Sequence, residues 1–193
     1  CLSRKDGSIL WQRRFWGTAP TRFHATKSSM ASPTPVTDGQ FVYAYYGTGD
    51  VFCLDLEGRL QWHRSLAAEY GRFENRFSAT SSPLLLEDLL ILQCDHYGPS
   101  YAIALDKRTG RDVWTWEPPE AKSTKLDEFR GSWSTPLIDG SGDKALMFLS
   151  MPTRLYAVEP RTGKVRWSCG GLSKLIYTSP LVTKDTVMVM CGY

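Results

Sequence analysis

Short apolar runs recur along the chain at intervals of about 40 to 55 residues. They cover residues 41–45, 89–92, 145–149 and 186–190, and each follows a Ser/Thr-Pro phrase and a polar turn. Short runs bounded by Asp, Gly and Pro are typical of strands joined by tight turns. No stretch keeps an apolar period of 3.6 residues, so the pattern predicts little helix.

A second phrase, which ends in tryptophan, alternates with these runs. It reads Ala-Leu-Asp-Lys-Arg-Thr-Gly-Arg-Asp-Val-Trp at 104–114 and Ala-Val-Glu-Pro-Arg-Thr-Gly-Lys-Val-Arg-Trp at 157–167. A shorter copy precedes these two, and a degenerate copy opens the chain. The repeat glycines are 51, 52 and 53 residues apart, as are the repeat tryptophans, which indicates a repeat architecture. These residues are Gly7, Gly58, Gly110 and Gly163, with Trp11, Trp62, Trp114 and Trp167.

Each repeat contains four candidate strands: the Ser/Thr-Pro strand, the apolar strand, the strand ending in Ala-x-Asp and the strand ending in Trp. Four-stranded antiparallel units repeated at this period predict an all-β fold, a β-propeller; a solenoid with units of this length would be mostly helical. The repeat pieces are 1–16, 32–62, 81–116, 134–167 and 178–193. We therefore expect a partial propeller, about half of a seven- or eight-bladed ring. In a rival geometry, residues 1–16 complete the blade begun by 178–193 and close a four-bladed ring.

The glycine of the second phrase is expected to end a tight turn. A type I turn followed by a left-handed residue favours glycine at its last position, because other side chains clash there. The acidic residue before the turn can accept backbone N–H bonds, and this residue is Asp55, Asp106 or Glu159 in the three clear copies.

The tryptophan is expected to cover the seam between neighbouring blades. A buried indole contributes roughly 4–6 kcal/mol at most from an area of ~150–250 Å², and its N–H needs a carbonyl partner. We expect the ring to stack over a small residue of the same phrase, for which the candidates are Ala104, Ala157, Cys53 and Cys1. A role for these rings in stacking on a cofactor is the alternative.

Composition describes an ordinary globular domain, with 42% hydrophobic and 22% charged residues and a net charge of +3. No apolar segment is long enough to predict a transmembrane helix, and no signal peptide is visible. The five cysteines have no framework spacing. Cys94 and Cys191 each lie 11 residues after a repeat proline, so they are expected to be buried thiols at equivalent positions on inner strands rather than a disulfide. The adjacent Cys94, Asp95 and His96 are three possible metal ligands, but alternation along a strand points neighbours to opposite faces, so a metal site is not expected.

The segments that connect each Trp to the next Ser/Thr-Pro strand carry the candidate binding residues. The first of them, 12–31, has four basic and no acidic residues. Loops on a rigid scaffold are common recognition sites. The alternatives are that the basic side chains are only solvated and that the aromatic side chains anchor the loops to the ring. Possible partner-binding residues are Arg13, Arg14, Arg22, Lys27, Arg72, Phe73, Arg76 and Arg130.

The phrase Ala-x-Asp-x-x-Thr-Gly-x-x-x-Trp before a Ser/Thr-Pro strand resembles the tryptophan-docking repeat of the PQQ-like β-propellers. This superfamily includes quinoprotein alcohol dehydrogenases and the non-enzymatic BamB-like propellers, to which the chain is closest in character. The resemblance implies a bacterial protein of the periplasm or cell envelope, membrane-associated only through parts outside this sequence. It specifies the fold better than the activity, since one fold hosts many functions.

Three functional hypotheses follow. The leading one is a non-catalytic scaffold that binds protein or cell-envelope partners through its loops and faces, with no cofactor, no catalytic or metal-binding residue and no nucleic-acid partner. The second is part of a dehydrogenase that uses PQQ and calcium. The enzymes of the superfamily hold the quinone against adjacent cysteines, and no adjacent cysteine pair occurs here. The third is a ligand-sensing propeller attached to a further domain.

Overall fold

The computed structural model describes residues 1–19, 21, 24, 26–74, 77–96, 100–122 and 130–192. Within these residues the fold is all-β, with one short α-helix, α1 (Leu66–Tyr70), and the 3-10 helices Pro119–Lys122 and Gly142–Lys144. The Ser65 hydroxyl caps α1 by accepting a hydrogen bond from the Ala68 amide at 3.3 Å. The expectation of little helix is confirmed.

Three four-stranded antiparallel sheets form the body of the molecule, and each has its strands in sequence order. Blade A contains β1 (Val36–Thr37), β2 (Phe41–Tyr45), β3 (Asp50–Asp55) and β4 (Leu60–Ser65). Blade B contains β5 (Leu84–Leu86), β6 (Leu89–Cys94), β7 (Tyr101–Asp106) and β8 (Asp112–Trp116). Blade C contains β10 (Leu137–Asp139), β11 (Leu146–Met151), β12 (Arg154–Val158) and β13 (Val165–Gly170). This is the predicted propeller architecture.

The remaining strands are short. Strand β9 (Gly131–Ser132) pairs in parallel with β14 (Leu175–Ile176), and β15 (Leu181–Val182) pairs with β16 (Val187–Met188). Near the N-terminus, Leu2 and Ile9 form an isolated antiparallel bridge. The four-bladed closure is wrong for the described residues: this bridge and the β15–β16 pair do not join into one sheet. The propeller is therefore open.

The core consists of layers between blades. Strand β6 is buried along its whole length, and its alternate residues pack in opposite directions. Leu90 and Leu92 pack against blade A, whereas Leu89 and Ile91 pack against blade C. Because both faces of blade B are covered, its middle strands read as continuous apolar runs rather than as an alternating pattern.

The turn before each tryptophan is built as the sequence predicts. The Asp106 carboxylate accepts hydrogen bonds from the amides of Arg108 and Thr109 at 3.1 and 2.8 Å, and from the Thr109 hydroxyl at 2.7 Å. The hydroxyl bond and the backbone bonds hold the pKa of Asp106 below its ordinary value. Gly110 ends the turn at φ +72°, and the other repeat glycines lie at +72° to +77°. The left-handed conformation expected of them is confirmed.

Each indole docks on the turn of the following blade. A Cβ built on Gly110 would lie 2.9 Å from the Trp62 ring, and one built on Gly163 would lie 2.8 Å from the Trp114 ring. The indole Nε1 of Trp62 donates to the Lys107 carbonyl at 3.0 Å. Trp11 repeats this arrangement on the Gly58 turn, and Trp114 repeats the indole bond one blade further on. Only glycine leaves room for this face-on contact.

The small residues of the phrase have a different role from the expected one. Ala104 does not lie beneath the ring of a neighbouring blade. It is the cross-strand partner of Trp114 within blade B, as Cys53 is of Trp62 and Ala157 is of Trp167. The expectation that these residues form the stacking surface is wrong, because the ring lies over the glycine of the next turn.

A second chain of contacts joins the blades at their Ser/Thr-Pro strands. The Thr34 amide donates to the Ser82 hydroxyl at 2.9 Å, and the Ser82 amide donates to the Thr135 hydroxyl at 3.0 Å. The Thr135 amide in turn donates to the Ser179 hydroxyl at 3.1 Å. Each of these residues precedes the proline of its blade. The repeated hydroxyl before proline was visible in the sequence, but its pairing across blades was not.

Replacement of a docked tryptophan should destabilise the chain. Trp114 is 9% exposed, so we expect Trp114→Ala to lower the free energy of unfolding by about 3–5 kcal/mol. Trp16 is 83% exposed, and Trp16→Ala serves as the matched control with an expected change within about 0.5 kcal/mol. Urea unfolding followed by far-UV circular dichroism measures both, and equal losses for the two variants would contradict the docking.

The docking glycines should resist substitution for two separable reasons. Gly39 has φ +86° and open space around a built Cβ, so Gly39→Ala tests the backbone cost alone, about 1–2 kcal/mol. Gly110→Ala adds a clash with the Trp62 ring and should cost more. The difference in urea midpoint between the two variants measures the contact, and a smaller loss for Gly110→Ala would show that the ring does not lie on the glycine.

The thiols should divide into two reactivity classes. Cys53 and Cys94 are buried, and burial raises the pKa of both thiols to about 12, which leaves almost no thiolate at neutral pH. Cys1, Cys169 and Cys191 are exposed, so the expectation of a buried thiol at Cys191 is wrong. We expect a chromogenic disulfide reagent to modify the exposed thiols within minutes and the two buried thiols only after urea is added. Rapid reaction of all five would contradict the burial.

Candidate interaction site

A pocket forms where the four connecting segments converge. Its volume is about 500 Å³, and its lining includes at least one residue from each segment: Lys27, Ser28, Phe77, Thr80, Trp133 and Tyr177. Thr80, Trp133 and Tyr177 each stand three residues before the proline that starts a blade. The repeat therefore delivers equivalent positions of three successive blades to one place.

Two of the aromatic walls are aligned by the parallel pairing of β9 with β14. This pairing sets Ser132 opposite Ile176, and the Trp133 amide donates to the Ile176 carbonyl at 2.8 Å. The next residues on the two strands, Trp133 and Tyr177, stack with ring centroids 5.1 Å apart and an interplanar angle of 10°. The Trp133 indole also donates to the Ser78 carbonyl at 2.8 Å, which fixes the ring in the pocket wall.

Phe77 and Lys27 complete the pocket on the side of the first two segments. The Phe77 ring meets Trp133 edge-on at 5.6 Å and stacks on His24, also at 5.6 Å. Lys27 is exposed and supplies the cation of the lining, and the lining residues include no carboxylate. Aromatic walls beside one ammonium suit a group that is apolar or aromatic and carries negative charge.

The first connecting segment is fastened to blade A by the buried carboxylate of Asp50. It accepts bonds from the Thr18 amide at 3.0 Å, the Thr18 hydroxyl at 2.7 Å, the Thr48 hydroxyl at 2.6 Å and His63 Nε2 at 2.8 Å. Burial raises the pKa of Asp50, but these bonds outweigh burial and hold the pKa below its ordinary value. In a nucleophile–base–acid triad the hydroxyl bonds the imidazole, and the imidazole bonds the carboxylate. Here the hydroxyls of Thr18 and Thr48 bond the Asp50 carboxylate directly, so Asp50 and His63 do not form such a triad.

A second buried carboxylate, Asp95, links blade B to β9. It accepts hydrogen bonds from the Ser100 hydroxyl and from the Ser132 amide, the latter at 2.5 Å. Burial raises the pKa of Asp95 above its ordinary value, although the Ser100 bond and the charge of Arg130 oppose the shift. Cys94 lies in the core beside the Tyr45 hydroxyl. The described residues contain no group of three or more His, Cys, Asp or Glu side chains placed to hold a metal ion.

The structure separates the predicted partner-binding residues rather than joining them. Lys27 lines the pocket, and Arg14 and Arg72 are exposed. Arg130 is half-buried near Asp95. Two further residues lie outside the described part of the chain, namely Arg22 and Arg76.

One of these predictions needs correction. Phe73 is 1% exposed and stacks on His96 at 4.4 Å, so it belongs to the core and cannot meet a partner. Arg13 is exposed, and it also contacts the junction between blades, where its Nε donates to the Gly58 carbonyl at 2.6 Å. Arg64 makes the equivalent bond to the Gly110 carbonyl. Both arginines stand two residues after a docked tryptophan, a signal that the sequence contained.

The described residues do not by themselves form a calcium site for PQQ, because calcium takes six to eight oxygen ligands and no three His, Cys, Asp or Glu side chains are grouped among them. The sequence also has no adjacent cysteines. Among the described residues no helix is long and apolar enough to cross a bilayer.

Comparisons with solved structures identify the same architecture. BamB from Moraxella catarrhalis aligns with a TM-score of 0.54 and 17% identity, over 81% of this chain and 42% of that chain. A europium-containing methanol dehydrogenase aligns with a TM-score of 0.51 and 14% identity, over 73% and 32%. The quinohemoprotein alcohol dehydrogenase from Comamonas testosteroni aligns with a TM-score of 0.52 and 16% identity, over 76% and 22%. The chain thus spans less than half the length of these proteins, and the likeness concerns the fold.

A comparison with curated proteins gave no match. The family model described as outer membrane protein assembly factor BamB matches residues 1–102 and 99–191, which together cover nearly the whole chain. On this match and the docked repeats, the chain belongs to the BamB family of β-propellers.

Proposed function

We propose that the chain is a non-catalytic propeller scaffold that binds a protein partner with the face formed by its connecting segments. The observation that carries this proposal is the pocket to which all four segments contribute. Contacts between the blades hold the propeller together, so the connecting segments can present side chains to a partner. Rigid scaffolds with variable loops commonly place recognition in this way.

The chemistry of the pocket favours a particular kind of contact. Tyr177 is 43% exposed and lies over Trp133, which offers an apolar surface to an incoming side chain. Lys27 adds a positive charge at the same pocket. A partner segment with an aromatic residue next to an acidic residue would satisfy both features, since aromatic anchors and complementary charge dominate interface energetics.

The first connecting segment offers a second contact. Trp16 is 83% exposed and follows the exposed Arg14 by two residues. Tryptophan and arginine are the residue types most enriched at interface hot spots. An indole this exposed is unusual in a soluble surface, so we assign the Trp16 region to the same partner-binding face.

The family suggests where such a scaffold works. The matching family is named for outer membrane protein assembly, so we propose a place in the periplasm or cell envelope of a bacterium. Quinoprotein dehydrogenases share the fold, which keeps a PQQ- and calcium-dependent activity as the second candidate. A ligand-sensing role beside a further domain is the third.

Charge reversal at the pocket should weaken partner binding without unfolding the chain. We expect Lys27→Glu and Tyr177→Ala each to reduce binding of an amidated Glu-Phe-Glu peptide at least about tenfold, or ~1.4 kcal/mol. Quenching of tryptophan fluorescence measures the affinity, because Trp133 lines the pocket. The same variants should lose cross-linking to proteins of a bacterial envelope extract.

Lys144→Glu is the matched control, since Lys144 is exposed but stands outside the pocket. All three variants should keep the wild-type melting temperature. Equal binding by all of them would remove the pocket from the proposal. Dye-linked alcohol oxidation by the wild-type chain after addition of PQQ and calcium would replace the scaffold with the dehydrogenase.

A further inference from the structure

One buried carboxylate of the molecule does not belong to the repeat. Asp95 stands four residues after the residue that pairs across the strands with the small residue of the tryptophan phrase. The residues at the equivalent position of blades A and C are Gly47 and Pro152. Neither carries a charge, so those two blades form without a carboxylate there. Because a charge that is 3% exposed is costly unless hydrogen bonds compensate it, the bonds of Asp95 indicate its role.

Those bonds fasten the third connecting segment, residues 115–133, to blade B. Asp95 Oδ2 accepts a hydrogen bond from the Ser132 amide at 2.5 Å, and Oδ1 accepts one from the Ser100 hydroxyl. Arg130, from the same segment as Ser132, brings its positive charge to the carboxylate. Asp95 therefore joins blade B to β9, the strand that contains Ser132.

Ser132 is also held by its hydroxyl. This hydroxyl accepts a hydrogen bond from Gln93 Nε2 at 2.9 Å and donates one to the Ser150 carbonyl at 2.5 Å. Gln93 lies on β6 and Ser150 lies on β11, so Ser132 is bonded to blades B and C at the same time. All three residues are at most 3% exposed. A residue bonded by both its amide and its hydroxyl in a close-packed interior has little freedom to move.

The residue after Ser132 is Trp133, an aromatic wall of the pocket. Its indole is 8% exposed, donates to the Ser78 carbonyl at 2.8 Å and stacks on Tyr177 with ring centroids 5.1 Å apart. A displacement of β9 by about 0.5 Å would take the indole bond beyond its normal range of donor–acceptor distances. The position of Ser132 therefore determines the orientation of the Trp133 ring.

We infer that Asp95 is a positioning residue for partner binding: through Ser132, its carboxylate holds Trp133 and the stacked Tyr177 in the orientation that a partner meets. The inference rests on the proposed function, because it concerns the same pocket. Asp95 is buried and is not one of the described lining residues, so a partner would not touch it. Its effect on affinity is indirect, since rings that are already fixed lose less entropy on binding.

Near-ultraviolet circular dichroism tests the positioning step without any partner. We expect Asp95→Ala to change the aromatic signal, because the Ser132 amide loses this acceptor. In a Trp133→Phe background the same substitution should change the signal less than about a fifth as much, since the two sites are coupled. Asp95→Asn should keep the wild-type spectrum, because the asparagine oxygen accepts the Ser132 bond and its NH2 group donates to Ser100. A wild-type spectrum for Asp95→Ala, or equal changes in both backgrounds, overturns the inference.

Asp38→Ala is the matched control. The Asp38 carboxylate also accepts backbone amide bonds, from Gln40 at 3.0 Å and Phe41 at 2.9 Å, but it lies in a turn of blade A outside the pocket. We expect this variant to unfold at lower urea and to alter the aromatic signal equally with and without Trp133. A change that depended on Trp133 would show that the signal reports general loosening of the propeller, and the inference would fail.

Peptide affinity tests the link to the pocket. We expect Asp95→Ala to weaken binding of the Glu-Phe-Glu peptide about fivefold, and Asp95→Asn and Asp38→Ala to stay within about twofold of the wild type. Isothermal titration calorimetry measures this without relying on Trp133 emission. Unchanged affinity for Asp95→Ala beside a loss for Tyr177→Ala would overturn the inference and leave the proposed function standing. No binding by the wild type would overturn the proposed function, and the spectra would still decide whether Asp95 orients Trp133.

Asp95→Ser covers the case in which Asp95→Ala does not fold. Its hydroxyl keeps a polar group at the site but is too short to replace the carboxylate at the Ser132 amide. The same changes in spectrum and affinity are expected of it, and far-UV circular dichroism establishes that each variant is folded. Failure of both variants to fold would show that blade B itself requires the carboxylate, which contradicts a role in positioning the pocket.

Discussion

The contact of an indole with a glycine of the next blade determines most of this structure. The flat ring needs a surface without a side chain, and its N–H needs a carbonyl, and the tight turn of the following repeat provides both. The turn in turn requires a left-handed residue, which glycine adopts without strain. Glycine thus satisfies both the tight turn and the junction between blades. This explains why the repeat glycines and the repeat tryptophans have the same spacing.

The junctions also separate the structural part of the chain from the part that is open to recognition. Docked indoles hold the blades on the side of the turns, and the hydroxyl chain holds them at the Ser/Thr-Pro strands. Buried carboxylates fasten the connecting segments to this frame, as Asp50 does for the segment containing Thr18. If the pocket binds a partner as proposed, presenting Lys27 and Tyr177 from a rigid base lowers the entropy lost on binding.

The tertiary structure gives several residues contacts that their sequence positions did not indicate. Arg13 is a surface charge as the sequence suggested, but its position two residues after Trp11 also lets it bond the neighbouring turn. Phe73 looked like a loop aromatic, but it fills the core between blades A and B. Ala104 was expected beneath a ring at the blade seam, but it faces Trp114 across the strands of its own blade. In each case the residue type was informative, but the partner, which lies between 10 and 45 residues away along the chain, was not.

The amino-acid sequence by itself determined the four-stranded repeat, the turn conformation and the positions of the docking tryptophans, because these depend on local φ preferences and on a short period. Tertiary structure alone decided which glycine each indole covers, which hydroxyl each amide meets and which loop residues share a pocket. Those contacts join residues that are distant in sequence, and no local pattern encodes the angle at which one blade follows another.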